Sequence, residues 1–135
     1  MTKINYFFTI IIGILFSALS AQVTLSIDSA EINAGDTFSV DVSMDNPDDV
    51  IGGFQFILND FPDQLDLINV ESTERTEHMI TNFEPSSNVV LTFDLEGIGL
   101  AMGSGPILTI TLESNSIYTN SINLSFSEYF VSDLI

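Results

Sequence analysis

From Asp36 to Leu67 the chain alternates between apolar and polar positions with a period of two. Phe38, Val40, Val42 and Met44 fall on one side, and Ser39, Asp41, Ser43 and Asp45 on the other. After a turn at Asn46-Pro47-Asp48-Asp49, Phe54, Phe56 and Leu58 alternate with Gly53, Gln55, Ile57 and Asn59. Successive side chains of a strand point to opposite faces, so the pattern predicts half-buried antiparallel strands. The turn has its own chemistry: Pro47 fixes φ, while Asn and Asp side chains bond their own backbone.

The same period runs through most of the remaining sequence. Val23, Leu25 and Ile27 alternate with Thr24, Ser26 and Asp28, and Glu31 to Gly35 reads as a turn. Past a bend at Phe61-Pro62-Asp63, Leu65, Leu67 and Val70 suggest a short fourth strand. Ser72 to Asn82 is polar and weakly periodic, which predicts a loop with room for one helical turn around Glu77 to Ile80. Val89, Leu91, Phe93 and Leu95 then alternate with Val90, Thr92 and Asp94, which sends Val90 and Thr92 outward. A glycine-rich connection (Gly97, Gly99, Gly103, Gly105) leads to Pro106 and a strand with Leu108, Ile110 and Leu112 inward. The last strand carries Ile122, Leu124 and Phe126 inward, with Asn123, Ser125 and Ser127 outward. Seven or eight short strands without a convincing helix predict an all-β, antiparallel β-sandwich. The apolar run Val131 to Ile135 lacks a closing turn, which predicts a C-terminally truncated domain with an unpaired sheet edge.

The first 21 residues stand apart. Lys3, the apolar run Tyr6 to Phe16 and the small residues Ser17-Ala18-Leu19-Ser20-Ala21 have the layout of a secretory signal peptide. The run is shorter than the ~20 apolar residues of a membrane-spanning helix. The expected organisation is therefore signal peptide 1–21 and one domain 22–135, secreted or at the cell surface, with no membrane attachment after cleavage. There is no cysteine, so stability must come from packing rather than disulfides. The formal charge is −17, and Arg75 is the single basic side chain once Lys3 is removed. Such a surface repels phosphate backbones, which excludes nucleic acid as a partner.

Catalytic chemistry is scarce. His78 is the sole histidine and sits in the polar loop, where an exposed position is expected. No Gly-x-Ser-x-Gly, His-Glu-x-x-His or Gly-Lys phosphate motif occurs, and acidic pairs are too abundant here to be diagnostic. The expectation is a non-enzyme without a cofactor. Asp45, Asp48 and Asp49 crowd one turn, and Asp60, Asp63 and Asp66 follow the next strand. Calcium takes six to eight oxygens from such loops, but the Asp-x-Asp-x-Asp-Gly pattern with a terminal Glu is missing, so no metal site is assigned. Sugar platforms need flat aromatic faces; beyond the leader there is no Trp, and Tyr118 and Tyr129 are the tyrosines.

With the strands placed, the chain resembles a cohesin domain. The matching pieces, in order, are Ala34-Gly35-Asp36-Thr37, the Asn46-Pro47 turn, Ile51 to Leu58 (IGGFQFIL), Pro62 followed by Leu65, and Gly105 to Ile110 (GPILTI). The resemblance implies a jelly-roll-like sandwich of nine strands, hence a missing last strand here. It also implies non-catalytic docking of a dockerin-like partner module in a surface or polysaccharide-degrading assembly. At strand-three positions where family members commonly carry Asn and Asp toward the dockerin, this chain has Gly53 and Gln55. From strand parity, the candidate partner-binding face is Gly53, Gln55, Ile57, Asn59, Val90, Thr92, Thr109 and Thr111, provided those strands share one sheet. The alternative is a carbohydrate-binding or general adhesin module that takes polysaccharide through Tyr118 and the acidic loops.

Overall fold

A computed structural model describes residues 23–114 and 122–134 of the chain. Residues 1–21, read above as a signal peptide, and Tyr118 lie outside the described residues. The strands are β1 (Thr24–Ile27), β2 (Thr37–Asn46), β3 (Ile51–Phe61), β4 (Leu65–Ser72), β5 (Ile80–Glu84), β6 (Val89–Phe93), β7 (Gly103–Ser114) and β8 (Asn123–Asp133). They form two antiparallel four-stranded sheets, ordered β1-β2-β7-β4 and β5-β6-β3-β8. No helix occurs among the described residues. This is the all-β sandwich that the alternation predicts.

The core lies between the sheets, where inward residues of each face interdigitate. Val40, Val42 and Met44 of β2, Phe54, Phe56 and Leu58 of β3, and Leu108, Ile110 and Leu112 of β7 are all buried. Phe56 meets Phe126 of β8 edge-to-face, ring centroids 4.8 Å apart. Aromatic pairs prefer this geometry because the positive ring edge faces the negative π-face.

Bulges keep the inward parity where strict alternation would break it. Ile51 pairs with Asp133 but Gly53 with Ser132, so Gly52 is an extra residue and both Ile51 and Phe54 point inward. On β7, Val42 pairs with Leu108 and Ser43 with Pro106, so Ile107 is extra and is buried beside Leu108. That bulge is also how a proline fits into a strand flanked on both sides. The carbonyls freed there are taken up by the β4–β5 turn: Thr73 Oγ1 donates to Pro106 O (2.7 Å) and Thr76 Oγ1 to Ile107 O (2.6 Å).

Arg75 completes this anchor. Its guanidinium donates to the carbonyls of Met44 (2.8 Å), Gly105 (3.0 Å) and Ala101 (3.1 Å) and to Asn46 Oδ1 (2.7 Å). Asn46 is fully buried and donates from Nδ2 to the carbonyls of Asp49 and Ala101. The lone cation of the domain is thus a structural bolt across one end of the sandwich. Burial pushes its pKa down, partly opposed by Asp45.

Two expectations are corrected. Ser72 to Asn82 is not only a loop, because β5 begins at Ile80; its short, mixed sequence ITNFE buries only one side and hides its period. His78 is half-buried rather than exposed, with Nε2 2.6 Å from Gly99 O.

Candidate partner-binding face

The structure divides the eight predicted site residues among three places. Gly53, Gln55, Ile57 and Asn59 lie on the outer face of the second sheet, as their parity requires. Val90 and Thr92 do not: both are fully buried, paired with Phe56 and Phe54 and facing the core. β6 reads Val-Val-Leu-Thr-Phe, apolar on both parities, so its own pattern does not choose a face. The pairing with β3 chooses, and Thr92 tolerates burial because its hydroxyl lies 3.0 Å from that of Thr81. Thr109 and Thr111 belong to β7, in the other sheet, and lie on the opposite side of the molecule.

Rows of registered neighbours define the outer face of the second sheet. One row is Ile80, Phe93, Gly53, Ser132; the next is Asn82, Leu91, Gln55, Phe130; the third is Glu84, Val89, Ile57, Ser127. Asn59 with Ser125, and Phe61 with Asn123, extend it along β3 and β8. Directly opposed residues share a face, so these side chains form one surface. Phe61 is 76% exposed, Phe130 65%, Ile80 40% and Leu91 36%. Asn59 Nδ2 donates to Ser127 Oγ at 2.7 Å, which orients a neutral polar patch beside the apolar ones. At Gly53 a Cβ would sit 3.1 Å from Thr92 O and 3.4 Å from Phe93 Cβ, so Phe93 packs close over a position that has no side chain.

Parity alone could not identify Leu91, Phe93, Ile80, Phe130 and Phe61 as surface residues, since large apolar side chains default to the core. β8 adds a bulge: Gln55 pairs with Phe130 and Ile57 with Ser127, one residue further apart on β8. Glu128, with φ 47°, and Tyr129 lie in it. The bulge puts Phe130 outward and Phe126 inward.

The other outer face is chemically different. Its rows are Thr37, Glu113, Asp66; Ser39, Thr111, Asn69; and Asp41, Thr109, Glu71. Ser39 and Thr111 hydroxyls lie 3.0 Å apart, and Thr109 donates to Asp41 at 2.9 Å. Asp41, Asp45, Asp66, Glu71 and Glu113 crowd this side, whereas the rows of the second sheet carry Glu84 alone. Glu84 sits at the rim, its carboxyl held below the usual range by the hydroxyl and then the amide of Ser86.

At one end of the apolar face the β6–β7 loop leaves β6 just past Phe93. Asp94 accepts the amides of Glu96 (2.9 Å) and Gly99, which lower its carboxyl pKa in that order. Leu95 is 74% and Ile98 58% exposed on this loop.

A β-sandwich with one acidic outer face and one apolar, charge-poor outer face has the build of a protein–protein interaction module. The family model of the cohesin domain matches residues 23–133, and the chain belongs to the cohesin family, a family of non-catalytic interaction modules. Among solved structures, a non-cellulosomal cohesin from the archaeon Archaeoglobus fulgidus is similar at 22% identity, covering 84% of this chain and 80% of that one, with a TM-score of 0.68. The OlpC cohesin in a type I cohesin–dockerin complex from Clostridium thermocellum shows 19% identity over 83% and 82%, TM-score 0.66. The third ScaB cohesin of R. flavefaciens, in complex with a group 1 dockerin, shows 16% identity over 84% and 83%, TM-score 0.69. These likenesses show the fold. A comparison with curated protein sequences gives no match.

Proposed function

We propose that the outer face of the second sheet docks a dockerin-like protein module, in a chain that serves outside the cell or at its surface, polysaccharide-degrading assemblies included. Support comes from the cohesin family membership and from the neighbours solved with dockerins. The carrying observation is the segregation of charge: in a chain of 19 acidic residues, the face with Leu91, Phe130, Ile80 and Ile57 bears Glu84 alone in its registered rows. Desolvating carboxylates is expensive, so a surface cleared of them is the one suited to burial against a partner. Four strands span roughly 19 Å; β3 and β8 run about 35 Å and the shorter β5 and β6 about 17 Å, which presents roughly 500 Å². With its loops that approaches the ~800 Å² each partner contributes to a standard interface. The apolar leader read at residues 1–21 supports export.

The test is titration calorimetry against a panel of dockerin modules and, in parallel, soluble polysaccharides. Leu91→Asp is expected to weaken dockerin binding at least about tenfold, while Thr111→Lys on the opposite face leaves it unchanged. Equal losses from both variants, or polysaccharide binding with no dockerin bound, would overturn the assignment.

A further inference from the structure

The sole histidine and the glycine-rich run, both set aside in the sequence, meet at one residue. Gly97 and Gly99 have φ of 76° and 71°, in the left-handed region open to glycine. A Cβ at Gly99 would lie 2.8 Å from Val50 Cγ1 and 2.9 Å from Ile51 O, so no other residue fits there. Gly99 is held through both of its backbone groups. Its N–H donates to Asp94 Oδ2, and its carbonyl accepts from His78 Nε2, which must therefore carry the proton. Next to it, Leu100 and Ile51 exchange both backbone bonds (2.8 and 3.0 Å), and the Asp94 amide donates to Gly52 O.

The fixed end of this clamp is firm. His78 follows buried Thr76, whose hydroxyl is bonded to Ile107 O, and precedes buried Met79, whose amide donates to Thr76 O. Exposed apolar side chains such as Leu95 and Ile98 favour burial, and a loop free to rearrange has conformations that bury them. Held as it is, it keeps both in water beside the docking face, an arrangement that favours association by removing the ordering cost at binding.

We propose that His78 is a positioning residue for partner docking: from the anchored β4–β5 turn it fixes the Gly99 carbonyl, so that Leu95 and Ile98 stand preformed at the end of the docking face. This rests on the docking role proposed above. His78 touches no partner itself; it acts through the loop.

Two measurements test it. Hydrogen exchange on the free protein is expected to show the Gly99 amide exchanging about fivefold faster in His78→Ala, the population change of losing one typical hydrogen bond. Affinity for a dockerin that binds the wild type is expected to fall as the loop-ordered, competent fraction falls, by up to the same factor. His78→Gln, whose amide can donate to Gly99 O, is expected to restore both to within about twofold. Unchanged exchange in His78→Ala overturns the clamp. Faster exchange with unchanged affinity, or no rescue by Gln in a folded variant, overturns the positioning role alone. If the wild type binds no dockerin in the panel, docking fails and positioning with it, while exchange still decides the clamp.

Discussion

Replacing Arg75 by methionine isolates the energetic role of the domain's lone cation. Methionine keeps an apolar stem of similar reach and removes the guanidinium. Of the four acceptors, Ala101 O keeps a bond from Asn46 Nδ2, and Gly105 is only partly buried. Asn46 Oδ1 is different: it belongs to a fully buried side chain and loses the donor at 2.7 Å. An orphaned buried acceptor costs about 1–3 kcal/mol, and a typical net hydrogen bond is about 1 kcal/mol. Removing the guanidinium also removes the cost of desolvating it, which offsets part of the sum, since burial lowers its pKa. The expected net loss is about 2–3 kcal/mol. For a domain near 100 residues that lowers Tm by roughly 8–12 °C. Arg75→Lys is expected to recover less than half, because an ammonium cannot fork to acceptors in several directions. Urea unfolding of the three proteins, with unchanged m-values, measures this directly. A loss under about 1 kcal/mol, or a lysine variant equal to wild type, would refute the bolt.

Three further outcomes are expected. Val90→Asp buries an unpaired charge and is expected to cost at least about 3 kcal/mol, whereas Leu91→Asp one residue away changes stability by under about 1 kcal/mol; similar losses in thermal melts would refute the assigned β6 parity. Asp94 has a folded pKa below its unfolded value, so its stabilisation is present above the unfolded pKa and lost as pH falls through the folded one. The Tm difference between wild type and Asp94→Asn is thus expected to close below about pH 4, and a difference constant from pH 7 to 3 would contradict it. Glu113 faces Asp66 across strands on the acidic side, so Glu113→Gln is expected to raise Tm in dilute buffer and to lose that advantage near 1 M salt, where the Debye length is about 3 Å.

Most of the fold was legible because β2, and β3, β7 and β8 away from their bulges, alternate between large apolar and small polar residues. β6 was not, since Val89, Leu91 and Phe93 outweigh Val90 and Thr92 in apolar content yet lie outside. Their place is set by pairing with β3, whose parity Phe54 and Phe56 anchor through burial. β5 escaped notice because a five-residue edge strand needs little apolar content of its own. The binding face suffered from the same cause. Thr109 and Thr111 share the parity of Gln55 and Ile57, but parity says which side of its own sheet a residue takes and nothing about which sheet that is.

By itself, then, the sequence determined the class of fold, the inward set of most strands, the resemblance to cohesins and the excess of negative charge. Those follow from local period and composition, which act along the chain. Tertiary structure alone decided the division of strands into two sheets, the charge-poor face opposite the acidic one, and the work of Arg75 and His78. Each depends on bonds between residues far apart in the chain, β2 to β7, β3 to β8, Arg75 to Met44 and Gly105, and His78 to Gly99 among them. No pattern within a strand encodes such pairings; they arise when the β4–β5 turn is pressed against the ends of β2 and β7 and against the β6–β7 loop.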